Sequence, residues 1–166
     1  MALESATELV KLMTHRSVTL ATCESLTGGG LGAAITAVPG ASAVFRGALV
    51  TYARDLKTRL AGVDEQLVDT EGVVNELTAI QMALGAQSAC ASDWAVATTG
   101  VAGPTEIDGQ KVGTVWFAVV GPGMGMSPPP RYTELKHFEG DRDSVREQAI
   151  EHALRMCLRV QGGSRE

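Results

Sequence analysis

Four short, nearly uninterrupted apolar runs constrain this chain more than any other feature: residues 18–22 (VTLAT), 48–52 (ALVTY), 94–98 (WAVAT) and 114–120 (TVWFAVV). Runs of this length, rich in β-branched residues and without polar alternation, are the pattern of strands buried on both faces. The segments between them carry apolar residues at steps of three and four, over 3–15, 30–38, 53–62, 75–91 and 141–160, and predict helices. A fifth, more polar run over 131–138 reads as an edge strand. Strands alternating with helices predict one α/β domain over residues 1–166, its sheet covered by helices on both faces. The stretch 121–130 (GPGMGMSPPP) continues neither element and is expected as a surface loop.

Composition narrows the function. With 14 Lys+Arg against 19 Asp+Glu, the net charge of −5 argues against binding nucleic acid or an anionic membrane over a broad surface. A local basic pocket is compatible with that total. No stretch approaches the ~20 apolar residues of a membrane span, and the N-terminus lacks a basic start before an apolar core. Cys23, Cys90 and Cys157 are odd in number and widely spaced, which excludes a disulfide framework or structural zinc and predicts buried free thiols. A cytoplasmic protein without metal or organic cofactor is expected. The small residues of the helix at 75–91 permit a helix-packed homo-oligomer.

Chemistry concentrates at three junctions. The segment 22–30 (TCESLTGGG) follows a strand and opens a helix, placing the Ser25 hydroxyl beside backbone that a ligand can approach. Ser25 or Thr27 as a plain helix cap, with glycines for tight packing, explains the same residues. Gly28, Gly30 and Ala33 also match a loose dinucleotide pattern. That reading is rejected, because five residues separate Thr22 from Gly28 and no acid ends the next strand. Ser25 also lies outside the Ser-x-x-Lys and Gly-x-Ser-x-Gly patterns, and His15, His137 and His152 are scattered over other elements.

The second junction, 51–57 (TYARDLK), ends a strand with Tyr52 and starts a helix carrying Lys57. A lysine and a tyrosine meeting one serine supply a proton acceptor and a donor without histidine. Asp55 and Arg59 make Lys57 equally readable as part of a solvated face. The third, 98–104 (TTGVAGP), is a turn whose N–H and hydroxyl groups can hold an oxyanion or phosphate, or simply join two strands. Arg142 and Arg146, four apart, share a helix face toward an anion or toward Asp143, Glu147 and Glu139.

Taken together, residues 23–29 (CESLTGG), 47–57 (GALVTYARDLK), 99–104 (TGVAGP), 112–115 (VGTV) and 138–142 (FEGDR) resemble one family. It is the C-terminal domain of the CinA competence/damage-inducible proteins, a nicotinamide mononucleotide deamidase, and the likeness runs from about residue 5 to residue 160. The resemblance implies a three-layer α/β/α sandwich with a mixed sheet. It also implies hydrolysis of nicotinamide mononucleotide to nicotinate mononucleotide and ammonia, a step of pyridine nucleotide recycling. By motif, Ser25 corresponds to the nucleophile, Lys57 to the base and Tyr52 to the tyrosine beside them. The additional N-terminal domain of larger CinA proteins is not expected here. The loop 105–115 (TEIDGQKVGTV) lacks a proline usual in the family, and Asn75 stands where many members have serine.

The expected site is therefore a metal-free serine amidohydrolase. Lys57 removes the Ser25 proton, Tyr52 relays or donates one to departing ammonia, and N–H groups near Gly28 and Gly29 hold the oxyanion. Thr27 and the turn residues Thr99, Gly100, Ala102 and Gly103 position the mononucleotide, and Arg142 or Arg146 takes its phosphate. The oxyanion and phosphate roles of the two loops are interchangeable at this level. An amidase for another small carboxamide, or a nucleotide-binding regulatory module without catalysis, are the rival readings.

Overall fold

A computed structural model describes residues 1–162, so the last four residues of the expected domain lie outside it. The elements are α1 (Glu4–Arg16), β1 (Leu20–Glu24), α2 (Gly30–Thr36), β2 (Phe45–Val50), α3 (Arg54–Ala61), α4 (Glu65–Glu71), α5 (Glu76–Cys90), β3 (Trp94–Gly100), β4 (Thr114–Val120), β5 (Arg131–His137) and α6 (Arg142–Val160). The five strands form one mixed sheet in the order β2-β1-β3-β4-β5. β1 runs parallel to β2 and β3, whereas β4 and β5 are antiparallel additions.

Helices cover both faces, giving the expected three layers. Leu9, Met13, Leu31, Ile35, Phe117, Leu154 and Met156 bring α1, α2 and α6 against one face. The other face meets α3, α4 and α5 through smaller side chains, among them Ala21, Ala79, Ala83, Ala86, Ala95, Ala97 and Ala118. Small residues there let backbones come close. A Cβ placed on Gly85 of α5 would stand 1.9 Å from the Ala61 carbonyl oxygen at the end of α3. Cys23 and Cys157 are buried, and burial pushes both thiols up to about 12. Cys90 is half-buried rather than fully enclosed.

Several boundaries differ from the sequence reading. β2 starts at Phe45 and ends at Val50, so Tyr52 has already left the strand. Helix α4 carries too little periodicity for detection; its signal is Asp64, whose carboxylate caps it by accepting from Gln66 N–H at 2.8 Å. Asn75 does the capping work a serine could do, accepting from Thr78 N–H at 2.8 Å at the start of α5. Neither Ser25 nor Thr27 caps α2, which starts at Gly30 without any local side-chain cap.

Register decides where function can sit. Glu24 pairs with Val50 on one side and Thr98 on the other, so β1 and β2 end level with Thr98, two residues before β3 ends at Gly100. Ser25 N–H donates to Thr98 O at 3.0 Å, and Thr51 N–H donates to Glu24 O at 2.9 Å. The three predicted junctions are thereby stitched together beyond the strand ends, where open α/β sheets place their ligands.

Candidate active site

The chain leaves β1 and turns sharply: Gly28 N–H donates to Ser25 O at 3.0 Å, with Gly28 and Gly29 at φ of 59° and 95°. Those left-handed angles suit glycine and bring Ser25 to the surface of a cleft of about 300 Å³. Lys57 reaches the same point from the first turn of α3. Its Nζ donates to Thr51 O at 2.7 Å and to Ser25 Oγ at 3.1 Å, and its side chain is 1% exposed.

Burial lowers the Lys57 ammonium from 10.5 to about 8. A Cys23 thiolate would oppose the shift, but with that thiol at about 12 the group stays neutral near pH 7. The positive charge of Arg54 acts in the same direction as burial. At pH 7 roughly a tenth of the amine is then neutral, with a lone pair for the Ser25 proton.

Glu24 is the residue that sequence reasoning passed over. Its fully buried carboxylate accepts from Gly29 N–H at 3.1 Å, Leu31 N–H at 2.9 Å and Gly32 N–H at 2.9 Å. Thr22 Oγ1 adds a fourth bond at 3.2 Å. An internal carboxylate thus fills the helix N-terminus expected to face a ligand. The oxyanion assignment to Gly28 and Gly29 changes accordingly, since Ser25 O and Glu24 already use their N–H groups. Among the described residues, Leu26 N–H has no protein partner, and Leu26 lines the cleft.

Seven of the expected residues share the cleft: Ser25, Tyr52, Lys57, Gly100, Ala102, Gly103 and Arg142. Arg142 donates to Gly103 O at 2.6 Å and to Tyr52 Oη at 2.8 Å, so Tyr52 bonds at the mouth rather than to Ser25 or Lys57. Thr27, Gly28, Gly29, Thr99 and Arg146 are outside the lining. Thr27 and Thr98 exchange a buried hydroxyl bond at 2.9 Å, and Thr99 Oγ1 donates to Val73 O at 2.6 Å. The Thr27 and Thr99 hydroxyls each tie a loop to the end of β3.

The opposite wall was not foreseen. Val73, Arg54, Thr105 and Ile107 complete the lining. Asp108 and Gly109, at φ of 50° and 73°, make a tight hairpin turn closed by Gln110 N–H to Ile107 O at 2.8 Å. Asp108 accepts from Arg54 Nη1 at 3.1 Å and Val73 N–H at 3.0 Å, pinning the hairpin over the cleft. The Asp-Gly pair was a legible turn signal; its partner 54 residues away was not. A larger hollow of about 910 Å³, lined by Leu3, Ala34, Phe138 and Ile150, contains neither Ser25 nor Lys57. Among the described residues, no three His, Cys, Asp or Glu side chains gather as metal ligands do, and no helix is long and apolar enough to cross a membrane.

An α/β/α sandwich with a buried serine–lysine pair at the carboxyl edge of its parallel strands is the class of protein so defined. The model of the CinA C-terminal domain family matches residues 3–161, and the chain belongs to that family. It is 41% identical over 141 residues to the nicotinamide-nucleotide amidohydrolase PncC of Escherichia coli K12, covering 84% of this chain and 82% of that protein. It is also 41% identical over 152 residues to a CinA-like protein of Frankia casuarinae, but spans only 34% of that longer relative. A crystal structure of a CinA superfamily protein from Klebsiella pneumoniae superposes with a TM-score of 0.89 at 30% identity, covering 95% of this chain and 96% of that one. The competence/damage inducible protein CihA of Agrobacterium tumefaciens gives 0.82 at 29%, covering 96% and 98%.

Proposed function

We propose that this chain hydrolyses the carboxamide of nicotinamide mononucleotide, giving nicotinate mononucleotide and ammonia. The observation that carries the reading is the buried Lys57 Nζ held 3.1 Å from Ser25 Oγ. The 41% identity to the nicotinamide-nucleotide amidohydrolase PncC supplies the substrate class.

Neutral Lys57 accepts the Ser25 proton as Oγ attacks the carboxamide carbon. The carbonyl oxygen becomes an oxyanion facing Leu26 N–H. Lys57, now an ammonium, returns the proton to the amide nitrogen, the C–N bond breaks and ammonia leaves, with Ser25 as an ester. Water then attacks the ester, Lys57 takes one of its protons and hands it to Ser25, and the acid released gives up the other to solvent or to the free ammonia, leaving the carboxylate. Tyr52 and Arg142 act at the mouth of the cleft. Among the described residues, Arg142 bonds only neutral oxygens, so its charge is available to a phosphate, whereas Arg54 is paired with Asp108.

A cleft of about 300 Å³ is at the small end of ligand pockets, and this favours a second reading, an amidase for a smaller pyridine carboxamide. Ammonia release from the mononucleotide, the riboside and free nicotinamide separates the two. The first reading expects the mononucleotide to be used best by at least tenfold in kcat/KM. Equal use of all three supports the second, and no ammonia from any of them leaves a binding module.

A further inference from the structure

Arg142 and Arg146 stand one turn apart on α6, yet their guanidinium groups serve different places. Arg146 turns behind the nucleophile loop. Its Nε donates to Leu26 O at 3.1 Å and its Nη2 to Thr27 O at 3.4 Å. Its nearest acid, Asp143, is 3.8 Å away with a side chain 84% exposed, a weak partner. The Ser25 and Thr27 carbonyls also accept from Gly28 and Gly30 N–H, at 3.0 and 2.9 Å, so the three carbonyls from Ser25 to Thr27 are all held. The Leu26 and Thr27 N–H groups have no protein partner among the described residues.

Peptide planarity makes a carbonyl and the following N–H point in opposite directions. Arg146 on Leu26 O thus fixes Thr27 N–H, and Arg146 on Thr27 O fixes Gly28 N–H, which in turn holds Ser25 O, the carbonyl of the peptide that carries Leu26 N–H. A cation on those carbonyls also polarises the peptides and strengthens their N–H groups as donors. Resting on the amide-hydrolysis reading, we propose that Arg146 is a positioning residue: it holds the Leu26–Thr27 turn from behind and aims the backbone N–H beside Ser25 at the oxyanion. The planar guanidinium spans two carbonyls at once, which a lysine ammonium on the same stem does not.

The test compares Arg146→Met, Arg146→Lys and Arg142→Met by steady-state kinetics on nicotinamide mononucleotide and by the rate at which a fluorophosphonate labels Ser25. Removing one oxyanion donor costs about 10²–10³ in kcat, and a misaimed donor less. For Arg146→Met the expected result is a fall of roughly 10- to 100-fold in kcat at nearly unchanged KM, with similarly slowed labelling. Added methylguanidinium should restore part of both rates, which a global loss of structure would not permit. Arg146→Lys should lie between, and carries the test alone should the methionine variant not fold. Arg142→Met should raise KM and leave labelling unchanged. A raised KM with intact kcat in the Arg146 variants would show that this arginine reads substrate, and unchanged kcat and labelling would overturn the proposal outright. If wild-type protein labels at Ser25 but releases no ammonia from the mononucleotide, the substrate reading fails. The labelling ratio then still decides the role of Arg146.

Discussion

The floor and the mouth of the cleft are built on opposite terms. At the floor, Ser25, Lys57, Thr51 and Glu24 are buried; the ends of adjacent strands fix the backbone of Glu24, Ser25 and Thr51, and α3 carries Lys57 to them. At the mouth, Tyr52 is 59% exposed, and the arginines hang from helix starts and bond to loops. The difference teaches where each kind of work is placed. Proton transfer from serine to lysine needs a dry, immobile pair, because water would restore the lysine to its ordinary 10.5. Reading a charged substrate needs groups that remain solvated until the substrate replaces their water.

The largest effects are therefore expected at the floor. Ser25→Ala and Lys57→Ala should each lower kcat by roughly 10³-fold or more, and the double variant should be little worse, since nucleophile and base act as a unit. Lys57→Arg should not rescue, because arginine keeps its proton near neutral pH. A folded Ser25→Ala protein with near-wild-type turnover would sink the covalent route. In the intact enzyme kcat/KM should rise with pH as Lys57 loses its proton and level off above about 8. A flat profile from pH 6 to 9 counts against lysine as the base.

The same burial has a stability signature. Lys57 falls from 10.5 unfolded to about 8 folded, so between those values the unfolded chain binds the extra proton. Stability gained from this group thus rises with pH across that window, and its penalty is fully present below about 8. The shift corresponds to a penalty of up to about 3 kcal/mol at neutral pH. Lys57→Met should be inactive yet melt at a higher temperature at pH 7, an advantage that shrinks toward pH 10. A methionine variant less stable at pH 7 than wild type would show that the lysine's hydrogen bonds outweigh its desolvation.

Mouth variants should act on binding. Arg142→Met should lower kcat/KM for the mononucleotide by about 10- to 150-fold, the value of a lost charge-assisted hydrogen bond, and scarcely affect the riboside. Tyr52→Phe removes only the acceptor for Arg142 Nη2, so a loss of less than about tenfold, mostly in KM, is expected. A loss comparable to that of Lys57→Ala would return Tyr52 to the proton-relay role its motif implies. The smallest effect should come from Asp108→Asn, which weakens a half-exposed ion pair and loosens the hairpin wall, raising KM by a few-fold.

Ser25 and Lys57 of the floor were legible in sequence because they sit at junctions that follow buried strands, and buried strands announce themselves by composition, whereas Glu24 inside β1 was not. Ser25, Tyr52 and Lys57 were singled out together; all three line the cleft, Ser25 and Lys57 bonded at its floor and Tyr52 at its mouth. Tyr52, however, was read as the last residue of a strand that stops at Val50. The mouth was less legible because its contacts join distant segments: Arg54 to Asp108, and Arg142 to Tyr52 across 90 residues. Spacing on one helix grouped Arg142 with Arg146, but a shared face says nothing of what each long side chain reaches. Thr27 and Thr99 were chosen for hydroxyls that serve as internal ties.

The carboxylate of Glu24 bears on how glycine-rich turns are recognised in other chains. Here the protein carries its own anion where a strand–glycine–helix junction elsewhere receives a phosphate from solution. An acid closing the strand ahead of such glycines marks the junction as self-occupied. Phosphate-mimicking inhibitors designed for dinucleotide loops meet the Gly29, Leu31 and Gly32 amides already taken by Glu24. Selective compounds for this cleft gain more by addressing Ser25 and Arg142 together.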